Sequence, residues 1–245
     1  MSRFLPWKIA APSCVWPAHI GENCLHLQQL VQEVGITLFE TEGSLDYGPK
    51  DLPLWLADLD LNYHVHLPLD LPWEEGTETV FAVCSELLSK TDYLKPLHYV
   101  LHPPPYQEQL PQFLNLWRRK KPEYTLLLEN IQDNSLLEFW PWLRAQSLNV
   151  CLDLGHLLCY AQHALLQAPG LWPKVRMLHI YGDSNEHRHG GLDQLSGQGQ
   201  AILHKALHHV SRDCTLVLEV FDPKDLYNAL DIFSTWITNW GLQPE

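Results

Sequence analysis

Nine residues of this chain combine metal-binding chemistry with a position at or just after an apolar run: His66, His102, Glu129, Asp153, His156, His179, His187, His189 and Glu219. Imidazole nitrogens and carboxylate oxygens form the mixed donor set that Zn²⁺ takes about four at a time, and Mn²⁺ or Fe²⁺ accept similar donors. Glu129, Asp153, His179 and Glu219 suffice for one divalent ion beside a sugar carbonyl, where the chemistry is proton transfer. The other five exceed the needs of one ion and can complete a second and a third. Clustered ions suit phosphate ester cleavage, because they neutralise charge on the phosphorane and on the departing oxygen. Glu129 and Glu219 are the catalytic candidates. Taken singly, each residue is weak evidence, since a lone histidine in a strand is more often a hydrogen-bonded core or rim residue. The argument is recurrence at successive strand ends, while His26, His163, His204, His208 and His209 fall on expected solvent faces of helices.

Such residues need a scaffold that brings distant positions together. Eight apolar runs bounded by turn residues alternate with helical periodicity: residues 8–15, 36–41, 63–69, 97–103, 124–130, 149–154, 175–181 and 214–220. Between them, stretches such as "ENCLHLQQLVQEV", "ETVFAVCSELLSK", "SLLEFWPWLRAQ" and "GQAILHKALHHVS" repeat apolar residues at three and four. This spacing predicts an α/β protein, a (β/α)₈ barrel made as one domain over residues 1–245. In that fold the C-terminal strand ends converge on one rim and carry the chemistry. "EFWPW" reads as packing, and "RRKK" (118–121) as a helix C-terminus with favourable dipole contacts.

The segment "NVCLDLGHLLCY" (149–160) reads as a buried strand that breaks at Gly155 into a helix. Asp153 would point into the site and His156 would reach a different ion. Gly155 permits the tight turn because it lacks a Cβ and tolerates positive φ. The competing reading has Asp153 simply capping the helix.

Sixteen Lys plus Arg against 29 Asp plus Glu give a net charge of −13, which repels polyanions and makes nucleic acid a poor partner. Six scattered cysteines and a start without a long apolar segment suggest reduced thiols and a cytoplasmic protein, and no apolar run is long enough to cross a bilayer. Oligomeric state is left open.

In strand order, His66, His102, Glu129-Asn130, "DLGH", His179 in "HIYGDS", "HRH" and Glu219 in "LEV" resemble the xylose-isomerase-like barrel superfamily, specifically its apurinic endonuclease type 2 branch with three zinc ions. The resemblance covers nearly the whole chain. It implies that Glu129 bridges two ions with His66 and His102, that Asp153, His179 and Glu219 hold the second, and that His156, His187 and His189 hold the third. The branch has a carboxylate where this chain has His187, or Glu186 beside it. Within the superfamily, "YHVHLPLDLPW" (63–73) is similar to cobamide-remodelling phosphodiesterases. These cut the nucleotide-loop phosphodiester of cobalamin-like cofactors to cobinamide phosphate and an α-riboside. The partner implied is a small-molecule corrinoid, with Pro68, Leu69, Leu71, Pro72 and Trp73 walling an apolar pocket for its face. A single-metal sugar isomerase or epimerase, an apurinic-site DNA endonuclease and a non-enzymatic corrinoid or metal carrier are the alternatives.

The excess of histidine makes a countable prediction. Elemental analysis of the purified, metal-loaded protein should find two or three transition-metal ions per chain; a stoichiometry of one would favour the isomerase.

Overall fold

The computed structural model describes residues 5–183 and 189–243. Eight parallel strands close on themselves in the order β1 (Lys8–Pro12), β2 (Glu33–Thr37), β3 (Asn62–His66), β4 (Tyr99–Leu101), β5 (Leu126–Glu129), β6 (Asn149–Asp153), β7 (Val175–Ile180) and, after a short hairpin of β8 (Gly182–Asp183) and β9 (His189–Gly190), β10 (Thr215–Leu218). The closing pair is β1 with β10, Lys8 opposite Thr215. Helices α1 (Ile20–Leu27), α2 (Thr41–Leu45), α3 (Thr77–Thr91), α4 (Gln109–Lys120), α5 (Trp140–Ala145), α6 (Leu154–Cys159), α7 (Gly197–His209) and α8 (Pro223–Asn239) connect or follow the strands. The fold is a (β/α)₈ barrel. No helix among the described residues is long and apolar enough to cross a membrane.

Local chemistry starts and stops the helices. Asp222 caps α8 by accepting from Lys224 N at 2.8 Å, with Pro223 pre-set at the first helical position. Three cations, Arg118 to Lys120, occupy the last turn of α4 as expected. Two sequence expectations need correction. The helical pattern over "ENCLHLQQLVQEV" runs on through Val34, but α1 stops at Leu27 and β2 begins at Glu33, three residues before the expected start. Pairing wins over periodicity: Ala10 and Asn62 both sit opposite Glu33, and its buried carboxylate is fully partnered. Likewise "SLLEFWPWLRAQ" yields only the six residues of α5. Leu136 there adopts a left-handed φ of 66°, which no helix continues through. Phe139 and Trp140 are buried, the packing role read for "EFWPW".

Inside the barrel, the two-residue period of the strands stacks inward side chains in layers. Ala10, Val100, Leu127, Cys151, Met177 and Val217 form a dry middle layer. Two residues further along their strands or just beyond them stand His102, Glu129, Asp153, His179 and Glu219, at the C-terminal rim. Towards the opposite end lies a polar layer that sequence reading missed. Glu33, with no exposed surface, accepts from Lys8 Nζ at 3.1 Å, is 2.7 Å from His64 Nδ1 and accepts from Thr215 Oγ1 at 3.3 Å. Gly35 makes room for it, since a Cβ there would lie 2.5 Å from His64 Nε2.

Burial alone would raise the Glu33 pKa, but the hydrogen bond and charge of His64 and the Lys8 ammonium bring it down to about 2 from the ordinary 4.5. A folded pKa below the unfolded one means that Glu33 stabilises the fold above pH 4.5 and loses that contribution as pH falls towards 2. A displacement of this size corresponds to about 3 kcal/mol. Glu33→Gln should therefore lower the melting temperature at neutral pH and flatten the acid limb of the stability curve, measured by urea titration at successive pH values; an unchanged acid limb would refute this role.

Candidate metal centre

Glu129 ends β5 buried to 1% exposure, and its ion-pair partners among the described residues are histidines. Its Oε2 lies 3.0 Å from His66 Nε2 and 3.2 Å from His102 Nε2, while its Oε1 lies 3.1 Å from His179 Nδ1. The other face of that histidine is shared: His179 Nδ1 is 3.1 Å from Glu219 Oε2 and 3.7 Å from Asp153 Oδ2. Two groups therefore hang from one carboxylate, His66–His102–Glu129 and Glu129–Asp153–His179–Glu219, and the donor atoms of each lie within 4.8 Å of one another. Cys151 closes a third grouping with Glu129 and His179; it belongs to the middle layer, and burial pushes its thiol pKa up to about 12.

The donor geometry fits divalent ions. His66 Nδ1 donates to the Leu67 carbonyl at 2.9 Å, which leaves a neutral ring's bare Nε2 facing Glu129 Oε2, acceptor against acceptor. Either a second proton or a cation must sit between them. Among the described residues, both ring nitrogens of His179 and Oε2 of Glu219 are buried without a hydrogen bond of good geometry, although oxygen and nitrogen approach to 3.1 Å. Ligands about 2.0–2.2 Å from a common ion have edges of this order. Without an ion, charge is held by proton exchange among the residues. Burial opposes every charge here, yet Glu129 and Glu219 are held well below the usual carboxylate range, chiefly by the His179 charge and by histidine hydrogen bonds. His66 is raised, against burial, by Glu129; His179 is raised well above its ordinary value by Cys151 and the two glutamates. Asp153 goes the other way, because burial raises it more than His156 and His179 lower it.

His156 and His189 stand to one side. Their rings are 6.4 Å apart, and each points Nδ1 at a main-chain carbonyl, Asn130 O at 3.0 Å and Glu219 O at 3.1 Å, so that Nε2 is the donor left over. Such second contacts fix the tautomer of a ligating histidine. His187 and Glu186, the remaining candidates for this position, lie outside the described residues.

At the β6–α6 junction the two competing readings of Asp153 coexist. Its Oδ1 caps α6, accepting from His156 N at 2.6 Å, while its Oδ2 faces His179, with His156 Nδ1 3.2 Å away. The reason offered for Gly155 needs correction: its φ is not positive. Glycine is needed because a Cβ would fall 2.0 Å from the ring of Tyr181, which lies across the turn and stacks on His189 at 4.0 Å. Tyr181 also reaches Asp153 Oδ2 at 3.4 Å. Sequence reading missed Tyr181, and it missed the buried pair Asn130 and Gln162. Asn130 accepts from Asp153 N at 2.8 Å and donates to Asp153 O and Gln162 Oε1, while Gln162 donates back to Ile131 O at 2.6 Å. The only signal was Asn130's place beside Glu129.

A cavity of about 130 Å³ opens onto these residues, lined by His66, His102, Glu129, His156, His189 and Glu219 and, on its outer side, by Thr37, Phe39, Leu69 and Phe221. The expected apolar pocket of the 68–73 loop is not there. Pro68, Leu71 and Trp73 turn inward, Trp73 packing on Phe113 at 5.4 Å, and of the five named residues only Leu69 reaches the cavity.

No family model and no curated protein matches the chain. Solved structures do. A D-tagatose 3-epimerase-like protein superposes with a TM-score of 0.75 at 13% identity over 96% of this chain and 98% of its own. Endonuclease IV from Thermus thermophilus gives 0.70 at 19% identity over 95% and 99%. A xylose isomerase domain protein from Planctomyces limnophilus gives 0.63 at 15% over 96% and 98%. These neighbours are xylose-isomerase-like barrels. At such identities the likeness establishes a common fold, and function rests on the site.

Asp153→Asn separates the two tasks of that side chain. Asn caps about as well as Asp, so the melting temperature should stay near wild type. The amide cannot replace a carboxylate ligand, so the bound metal should fall by about one ion and turnover by roughly 100-fold or more. Full metal content in this variant, read by elemental analysis, would remove Asp153 from the centre.

Proposed function

We propose that this chain is a metal-dependent phosphodiester hydrolase whose substrate is a small molecule, the nucleotide-loop phosphodiester of a cobamide. One observation carries the reading: Glu129 serves two donor groups at once, His66 and His102 through Oε2 and His179 through Oε1. A single-metal isomerase needs only the second group and has no use for His66 and His102 at 3.0 and 3.2 Å from the same oxygen. In this reading His66, His102 and Glu129 would hold one divalent ion, most simply Zn²⁺, and Glu129, Asp153, His179 and Glu219 a second, with His156 and His189 as candidate ligands of a further one.

Bound divalent ions supply Lewis-acid stabilisation of charge developing on the phosphoryl oxygens and lower the pKa of an attacking water. The protein's own groups do the rest. Leu67 O and Asn130 O fix the His66 and His156 rings, so that the donor nitrogens are aimed before substrate arrives. Glu129 and Glu219, held below the usual carboxylate range and lining the cavity, would serve as proton acceptors for an incoming water. His156 and His189, on the cavity wall, are the candidates for stabilising a departing oxygen.

Substrate class follows from size and charge. The cavity of about 130 Å³ is far below the ~300–1,000 Å³ usual for enclosing a whole ligand, so a phosphodiester enters and the bulk of the molecule stays outside. Phe39, Leu69 and Phe221, at 42, 53 and 38% exposure, form the apolar rim on which a corrin face would rest. A net charge of −13 disfavours a DNA backbone, which needs a basic track.

The test is incubation of the Zn²⁺-loaded protein with a cobamide, followed by mass separation of products. Cobinamide phosphate and an α-riboside should appear, and His66→Ala and His102→Ala should each cut their formation by about two orders of magnitude. Intact cobamide alongside cleavage of apurinic-site DNA, or alongside interconversion of free ketoses, would overturn the proposal.

A further inference from the structure

A second chamber, about 180 Å³, lies beside the metal cavity between the loop that follows β1 and the loop that follows β2. The two share Thr37 and Phe39 as a common wall. The wall is braced from the far side: Phe39 O accepts from Leu69 N at 3.2 Å, and Thr41 N and Oγ1 donate to Asp70 Oδ1 at 2.7 and 2.9 Å. Phe39 is thus held as a fixed partition between the chambers, with part of its ring facing outward.

The lining defines what the chamber can hold. Among the described residues no lysine or arginine lines it, and its one imidazole, His19, is exposed, which speaks against a second phosphate or a carboxylate. The polar groups are the Asp51 carboxylate, the His19 imidazole, the Cys14 thiol and the hydroxyls of Ser13, Thr37 and Tyr47. Asp51 uses Oδ2 to accept from Gly48 N at 3.0 Å and has Oδ1 to spare. The half-buried Tyr47 hydroxyl makes no hydrogen bond within the described residues, although its main-chain carbonyl accepts from Lys90 Nζ at 3.0 Å. Burial and the neighbouring Asp51 charge both raise the Tyr47 pKa, so the hydroxyl stays a donor. A free donor beside a spare carboxylate acceptor, flanked by an aromatic ring, is the chemistry that recognises a neutral ring carrying vicinal hydroxyls: the carboxylate accepts from one hydroxyl and the phenol donates to the next.

We propose that this chamber is the sugar subsite of the enzyme, with Tyr47 and Asp51 as specificity-determining residues that bind the hydroxyls of a pentose-like ring while the group attached to it reaches the metal cavity past Thr37 and Phe39. The proposal rests on the phosphodiesterase reading for the identity of the attached group, and on the geometry of the chamber for the sugar. It places the hydroxylated half of the diester on the β1–β2 side and leaves the β3–β10 rim, Leu69 and Phe221, to the apolar half.

Two p-nitrophenyl diesters test it in the Zn²⁺-loaded enzyme: a ribonucleoside 5′-(p-nitrophenyl phosphate), which carries the sugar, and bis(p-nitrophenyl) phosphate, which does not. Wild type should favour the first in kcat/KM. Tyr47→Phe and Asp51→Asn should each reduce that preference roughly three- to tenfold, through KM and not kcat, as expected for one lost hydrogen bond each. A preference that survives both variants overturns the subsite. If wild type turns over neither diester, the phosphodiesterase reading fails, and the subsite is then decided by saturation-transfer NMR with the free ribonucleoside. Binding by wild type that weakens in both variants supports the chamber as a sugar site; no binding, or binding unchanged in the variants, ends the proposal.

Discussion

A carboxylate sealed inside a protein must be neutralised by its neighbours, and Glu129 is sealed almost completely. Among the described residues its ion-pair partners are histidines, so imidazoles stand where compensating charge is needed, and either protons or divalent ions can supply it there. This one requirement explains why histidines cluster where a barrel of ordinary stability would place apolar residues. It also makes the centre bistable: protons and divalent ions compete for the same space between His66 Nε2 and Glu129 Oε2.

The rest of the barrel holds that cluster in place. A dry middle layer separates the rim carboxylates from a second buried carboxylate, Glu33, whose charge is satisfied separately by Lys8, His64 and Thr215. Around the rim, main-chain carbonyls of Leu67, Asn130 and Glu219 take the unused ring nitrogens, and the Asn130–Gln162 pair ties β5, the start of α6 and the loop after it into one unit. Tyr181 wedges over Gly155 against His189, so the turn that carries Asp153 and His156 is fixed by packing as well as by its cap.

Function is divided over the mouth in the same manner. The strand ends furnish donors; the loops after β1, β2 and β3 furnish shape. Thr37 and Phe39 belong to both chambers, so on the proposed reading recognition of the substrate's periphery would be coupled to the position of its reacting centre.

The alternation of apolar runs and helical stretches was legible in residue order, and so was the set of donors at the run ends, because the period of a strand and the chemistry of an imidazole are local properties. Helix ends were less legible. Gln32 and Glu33 follow a helical pattern, and only pairing with β1 and β3 makes Glu33 a strand residue. Tyr181, Gln162, Tyr47 and Asp51 carried no signal, since their roles depend on what lies across the barrel mouth. The apolar wall expected of residues 68–73 failed for the same cause: which way Leu71 and Trp73 turn is settled by packing against Phe113 and its neighbours. Sequence by itself determined the fold class and which imidazoles and carboxylates stand at strand ends, through periodicity and side-chain chemistry. Only the tertiary structure decided that Glu129 is shared between two donor groups, that Asp153 both caps and faces the centre, and where the cavity ends, because each depends on distances between residues far apart in the chain.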